Sequence, residues 1–549
     1  MGLGPSPRAS CSLGPLRRVG PWGPDHTGEG PVAGDLGRLY GRAGLADTML
    51  QVEAEHGDIT EVDVDAIVVN LFEGVRDPGG ATGAVDGALD GAIADVIGSG
   101  DFTGELGSST LLYAGDDLAA TRVLVVGLGD RDDVDLDAVR RAAGTTVDAL
   151  GGTEVDEAAT IVHGGGIGGL SPRASARAIA MGAISKAYRF HRKTNGDEGP
   201  DLQRLAVVER SEDKLAAVRQ GLAAGRTVAN AQAVTRDIAS FSGEEAAPAA
   251  IAGTIEAAAE DTGLDCTVWG PEEIAEQRMG GVQAVSRGSE REPRFVQLEW
   301  APGEADRTVC LVGKGVTFDT GGISLKRSSG MDEMRYDKHG AASVVGTLLA
   351  AAELELDTRV IGLTPFVENM PSGSAIKPGD VIKMRNGSTV DVINTDAEGR
   401  LILADALDLA RERDPDATVD LATLTGSVSV ALGTQAAGLF GNDDELVAEL
   451  ETAAQATSER VWRLPLFDEY EQQLDEGAVG DLQNVGGRNA GASVAGKFLE
   501  HFAPEDGWAH LDIAGVAWND DKPYLNPDYT PKGATGVGVR LLVDWLEDP

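Results

Sequence analysis

The chain has 549 residues, 42% hydrophobic and 25% charged, an ordinary globular balance with length enough for more than one hydrophobic core. Its charge is unusual: 89 acidic against 46 basic residues, a formal net of −43, with only 11 lysines beside 35 arginines. Self-repulsion of that size opposes a nucleic-acid or anionic-membrane partner, and it fits a protein kept hydrated in high salt, so a halophilic source is expected.

Residues 1–48 stand apart, with five Arg, four acids, 11 Gly and 6 Pro and no usable periodicity. They read as a disordered leader or, preferably, as sequence upstream of a natural start at Met49. No apolar run follows the Arg17-Arg18 pair, so no signal peptide is expected there. From Leu50 onward short apolar runs alternate with amphipathic segments. Runs at 66–69, 123–126 and 160–162 predict buried strands, and helical spacing covers 171–189 and 212–238. A first α/β unit is placed at 49–220. In the second, 221–549, a helix at 246–261 precedes strands at 309–312, 360–363, 418–421 and 510–513. Helical patterns at 340–354, 400–413 and 494–501 separate those strands. The expected fold is α/β: a smaller N-terminal α/β domain and a larger C-terminal catalytic domain with a mixed, mainly parallel sheet flanked by helices. No run of about 18 apolar residues exists, and the least charged stretch, 421–441, reads as buried core. Cys11, Cys266 and Cys310 leave little room for a disulfide framework, so a reducing, cytoplasmic interior is expected.

Several familiar motifs fail. Gly164 to Gly169 satisfies G-x-G-x-x-G, but no acid stands between it and Asp197 to bind a ribose, so it reads as a Gly-rich turn. No Walker A, H-E-x-x-H or G-x-S-x-G sequence occurs, and no two of the seven His lie at i, i+4. Any metal site must therefore lean on carboxylates. Two D-T-G triplets, at 261–263 and 319–321, invite an aspartic-peptidase reading. The first ends a helical run that Gly263 would cap, and a shared-proton dyad needs two equivalent loops.

The informative region is 314–400. Lys314 leaves an apolar run, Asp319 and Lys326 follow in Gly-rich sequence, and Asp337 precedes a helical pattern. Asp396 and Glu398 stand two apart before another helix, a spacing that points both carboxylates the same way in an extended segment. Loops leaving the strands of an open α/β sheet are where ligands bind. Together the four acids would make an oxygen-rich pocket for two divalent cations roughly 3.5–4 Å apart. Each has a duller reading. Thr395 to Glu398 is also a capping box, T-x-x-E, and taken alone the cap is favoured. Asp319 and Asp337 would serve as turn and N-cap acids. Lysine is scarce, however, and finding Lys314 and Lys326 within thirteen residues among carboxylates shifts the balance towards a site.

These segments resemble the leucyl (cytosolic) aminopeptidases. Asn394 to Leu401 (NTDAEGRL) matches that family's signature and Val312 to Lys326 (VGKGVTFDTGGISLK) its other principal motif. The segments 331–337, 422–426 and 508–515 (WAHLDIAG) fit in order and at suitable spacing. The resemblance covers 225–549, while upstream it rests on the α/β pattern. It implies a metalloaminopeptidase releasing an N-terminal residue, Leu or another apolar one, from peptides. Lys314, Asp319, Asp337, Asp396 and Glu398 would hold two ions, with Asp319 and Glu398 bridging both. Lys314 would ligate as the neutral amine, its pKa lowered by the cations. Lys326 would polarise the scissile carbonyl, and Arg400 would hold a bicarbonate acting as general base. Met334, Asn394, Thr423, Leu424, Gly426 and Ala514 would surround the side-chain pocket and substrate backbone. The metals would be Mn, with Zn, Mg or Co as alternatives, and the assembly a homo-hexamer. A narrow dipeptidase and a non-catalytic scaffold or nucleic-acid-binding relative remain as alternatives. Two departures from the family pattern stand out: Lys338-His339 after Asp337, and the segment 239–244 at the interdomain junction.

Overall fold

The apolar run Ala66–Leu71 becomes a strand buried along nearly its whole length, because helices cover both faces of its sheet. In this computed structural model Met1 and residues 50–165, 169–190, 202–519 and 529–547 are described. The expected leader beyond Met1 and the centre of the Gly164 to Gly169 turn lie outside the described residues. The N-terminal sheet has six strands, running Gln51–His56, Arg204–Glu209, Glu157–Ile161, Ala66–Leu71, Arg122–Gly127 and Ser109–Tyr113 across it. All neighbours are parallel except the last pair.

The larger sheet has nine strands. Trp508–Asp512, Ala417–Ala422, Thr308–Gly313 and Arg359–Asn369 form its parallel centre, in that order. Ala437–Gly441 and then Val461–Arg463 lie beyond Trp508–Asp512, while Arg294–Trp300 and Asp265–Trp269 lie beyond Arg359–Asn369. One apolar cluster packs each face, so the sheet is covered on both sides. The architecture is a smaller N-terminal α/β domain joined to a larger domain with a mixed, mainly parallel sheet and flanking helices. The helix Glu212–Ser240 runs without interruption through residue 220, the expected boundary, and joins the two sheets' layers. No helix among the described residues is long and apolar enough to cross a membrane.

One expectation changes and another holds. The stretch 421–441 is not continuous core. Ala437–Gly441 is a buried strand, but the short helix Gly426–Leu432 before it lies largely open, with Val430 90% exposed. The segment leaves the sheet to build the wall of a cavity, and few charges are needed there. The first D-T-G behaves as expected: Gly263 caps Pro248–Thr262 with φ +75° and donates to Ala259 O.

Candidate metal centre and substrate cavity

The strand Thr308–Gly313 delivers Lys314, and the next strand, Gly315–Asp319, ends at Asp319. Gly315–Asp319 pairs with the far half of Arg359–Asn369, and its register slips between Val316 and Phe318. Bulges of that kind re-aim side chains beside sites. Asp319 thereby meets Asn369, whose Nδ2 donates to Asp319 Oδ1 at 2.8 Å and to Thr395 O at 3.1 Å. Asp337 follows the 3-10 turn Met331–Tyr336, and Asp396 and Glu398 come from the turn ahead of Gly399–Arg411. That segment is a turn rather than an extended strand, yet both carboxylates reach the same place.

Two ammonium groups supply the counter-charge. Lys314 Nζ lies 2.7 Å from Asp337 Oδ1 and 2.9 Å from Glu398 Oε1, and it donates to Thr423 O at 3.0 Å. Lys326 Nζ lies 2.6 Å from Asp319 Oδ2 and 2.5 Å from Asp396 Oδ1. Burial would lower both lysine pKa values, but the surrounding carboxylates outweigh it and raise them, so both amines are charged here. The acids are under-compensated. Burial, then Glu398 and Asp337, pushes Asp319 up to about 8, and burial pushes Asp337 up to about 6 against the pull of Lys314.

This donor set fits divalent cations. Asp319, Asp396 and Glu398 each offer an oxygen, all within 4.8 Å of one another. Asp337 Oδ2 and Glu398 Oε2 are buried without a hydrogen-bond partner. Four carboxylates against two ammonium groups leave a buried negative excess that costs stability unless a cation neutralises it. Hard oxygen donors with one amine suit Mn or Mg at least as well as Zn.

A cavity of about 590 Å³ opens over these groups. All thirteen residues singled out in the sequence line it: Lys314, Asp319, Lys326, Met334, Asp337, Asn394, Asp396, Glu398, Arg400, Thr423, Leu424, Gly426 and Ala514.

The chain's match to known proteins agrees with that geometry. Residues 233–543 match the model of the cytosol aminopeptidase family catalytic domain, and 68–195 that of the family's N-terminal domain. The chain belongs to the cytosol aminopeptidase family. It is a metal-dependent aminopeptidase. A probable cytosol aminopeptidase of Roseiflexus castenholzii is 40% identical over 506 residues, covering 91% of this chain and 99% of the relative. One from Geobacter sulfurreducens is 41% identical over 500 residues, covering 90% and 99% respectively. Among solved structures, the bottromycin maturation enzyme BotP in complex with Mn superposes with a TM-score of 0.78 at 34% identity. That comparison covers 88% of this chain and 99% of BotP.

Within this aminopeptidase the duller readings can be checked. Thr395 does not cap the helix: its hydroxyl donates to Gly321 O at 2.7 Å and accepts from Ser324 N at 2.8 Å, and no side chain caps Gly399–Arg411. Asp319 does serve a turn, accepting from Gly321 N at 2.8 Å, while facing the cavity. Asp337 is no N-cap, since Lys338 holds that position and Asp337 Oδ1 accepts the Thr423 hydroxyl at 2.6 Å.

The two departures from the family pattern touch each other. Lys338 is fully buried, and its Nζ donates to Phe241 O at 2.9 Å and to Arg335 O, tying the junction to the loop that carries Asp337. His339 accepts from Gly536 N through Nε2 at 3.1 Å.

Sequence reasoning missed Asn369 and Asn484. Asn484 Oδ1 accepts from Ile393 N and Asn394 N, its Nδ2 donates to Asn394 O and Ala397 O, and its carbonyl accepts from Arg400 Nη1 at 2.9 Å. Asn369, an amide ending an apolar strand at the sheet's C-terminal edge, was legible by position. Asn484 lies in irregular chain and carried no local signal.

Gly399 is required by close approach. A Cβ there would stand 2.5 Å from Lys314 Cε, and Lys314 is held by three polar contacts. Gly399→Ala should therefore displace Lys314 and lower kcat/KM by more than about tenfold, the scale seen when the support of a site residue is disturbed. Steady-state kinetics with excess Mn²⁺ would show it, and unchanged kinetics would mean that Lys314 moves freely.

Proposed function

We propose that Lys314, Asp319, Asp337, Asp396 and Glu398 hold two divalent cations, Mn²⁺ first among Mn, Zn, Mg and Co. Lys326 and Arg400 act on a peptide whose N-terminal residue, Leu or another apolar one, is released. The observation that carries the reading is the convergence of the three carboxylates within 4.8 Å beside partnerless buried oxygens of Asp337 and Glu398. The Mn complex of BotP supports the choice of metal. When bound, the cations would supply Lewis acidity for the carbonyl and a water acidified towards neutral pH.

The chain's own residues do the rest. Lys326, charged and 23% exposed, donates to the carbonyl oxygen as negative charge develops on it. Arg400 is proposed to hold a bicarbonate as general base. In support, its Nε is buried without a partner, so one donor of the guanidinium is unspent. Met334, Asn394, Thr423, Leu424, Gly426 and Ala514 are assigned to the substrate's side chain and backbone. The functional division is proposed at 49–220 and 221–549, because every assigned residue falls in the second segment.

A cytoplasmic location is supported by the unpaired Cys266 and Cys310 and by the relatives' description as cytosol aminopeptidases. A hexamer is proposed from the family resemblance, and an assembly of some kind is consistent with the large apolar side chains left exposed at Val430, Trp462 and Phe467. The net charge of −43 supports a high-salt habitat.

The test is hydrolysis of leucine p-nitroanilide in molar salt with Mn²⁺, after exhaustive chelation and after Mn²⁺ is restored. Activity should vanish on chelation and return with the metal. Robust hydrolysis by the chelated enzyme would sink the two-metal assignment.

A further inference from the structure

The strand Trp508–Asp512 ends in a carboxylate whose four hydrogen bonds all come from neutral groups. Asp512 is 1% exposed. Its Oδ1 accepts from Leu424 N at 3.1 Å, Thr425 N at 3.4 Å and Ala514 N at 3.2 Å, and its Oδ2 accepts the Thr425 hydroxyl at 2.6 Å. Leu424, Thr425 and Ala514 all line the cavity over the metal centre. Thr425 Oγ1 also accepts from Val428 N at 3.1 Å and so caps Gly426–Leu432, whose first residues belong to the same wall.

The segment ending at Thr425 is tethered at both ends. Thr423 donates its hydroxyl to Asp337 and accepts Lys314 Nζ on its carbonyl, while Leu424 and Thr425 hang from Asp512. Three residues therefore run from the cation site to a buried carboxylate that also carries the neighbouring loop through Ala514.

Burial raises the Asp512 pKa, while His510 and the hydrogen bonds from Thr425, Ala514 and Leu424 pull it back down. Four donors converge, and an ionised Asp is acceptor-only, with lone pairs on both oxygens. An Asn would keep one acceptor oxygen and turn an NH₂ towards the Thr425 hydroxyl, whose hydrogen would then lose its acceptor. A neutral side chain would close such a loop at lower desolvation cost, but it would not accept all four hydrogen bonds.

We propose that Asp512 is the positioning residue of the side-chain pocket: it sets the spacing of Leu424 and Ala514, and thereby which N-terminal side chain the enzyme prefers. This rests on the aminopeptidase assignment of the cavity. Asp512 touches neither substrate nor cation. Its effect passes through the backbone of Leu424, Thr425 and Ala514.

The test uses the full-length, Mn²⁺-loaded enzyme with leucine and alanine p-nitroanilides, comparing the parent with Asp512→Asn, Thr425→Val and Thr425→Ser. The Leu/Ala ratio of kcat/KM should fall by about tenfold in Asp512→Asn, within the range that pocket contacts to a few methylenes supply. The fall should be carried by KM for the leucine substrate. Thr425→Val should shift the ratio the same way by less, and Thr425→Ser, which keeps the hydroxyl, should restore it. Elemental analysis should find the parent's metal content in each variant.

A parent-like ratio in folded Asp512→Asn would overturn the proposal. So would equal loss of kcat on both substrates with KM unchanged. If Asp512→Asn does not fold, Thr425→Val carries the decision, and a ratio equal to the parent's overturns it. Undiminished hydrolysis of both substrates by the chelated parent would instead count against the metal-dependent reading and leave the ratios to judge Asp512.

Discussion

Replacing Lys326 by alanine should lower kcat by roughly 100- to 1000-fold, the range found when one oxyanion donor is removed from a preorganised site. Its Nζ already lies between Asp319 and Asp396, and the carboxylates hold it charged despite burial. The loss should fall on kcat rather than KM, because a donor that meets charge only as it develops contributes little to ground-state binding. A second effect separates chemistry from structure. Without metal, the variant leaves the buried Asp319 carboxylate without its counter-ion, and removing one partner of a buried pair costs about 3–5 kcal/mol, less here because Lys326 is partly exposed. The melting temperature should thus drop in chelator and recover with Mn²⁺. A folded, metal-loaded Lys326→Ala enzyme with parental kcat would remove Lys326 from the reaction.

Asp319→Asn should weaken divalent metal binding by more than about 100-fold, the upper figure for losing even an outer partner of a metal ligand. The substitution keeps the size of the side chain but removes the anion at the position where Asp319, Asp396 and Glu398 converge. The same acids set a pH dependence in the parent. Asp319 is raised to about 8 and Asp337 to about 6, and a protonated carboxyl is a poor ligand. Metal affinity should therefore rise as pH climbs from about 6 to about 8 and fall on the acid side, with protons released on binding. Titration calorimetry in two buffers of different ionisation enthalpy measures both. Flat affinity across that window, or Asp319→Asn binding Mn²⁺ like the parent, would show that Asp319 is not a ligand.

Much of this is legible in the amino-acid sequence. The strands Ala66–Leu71, Arg122–Gly127, Thr308–Gly313 and Ala417–Ala422 announce themselves as apolar runs because helices bury both their faces. Asp265–Trp269 and Arg294–Trp300 escaped because they lie at and next to the sheet's edge and mix polar with apolar residues. The stretch 421–441 misled because low charge was read as burial, whereas part of it walls an open cavity.

The alternation of strand and helix, the chemical identity of the donors and the order in which they arrive are all legible in the chain's local pattern. Those properties are local: side-chain period, residue type and turn chemistry act over a few residues. Tertiary structure alone decided that Lys314 faces Asp337 and Glu398 while Lys326 faces Asp319 and Asp396. It alone showed Asn369 holding Asp319, Asn484 holding Arg400 and Asp512 holding Leu424. The registers of several strands set those meetings, and burial raises the energetic stakes of each one. Neither quantity is carried by any single segment of the chain.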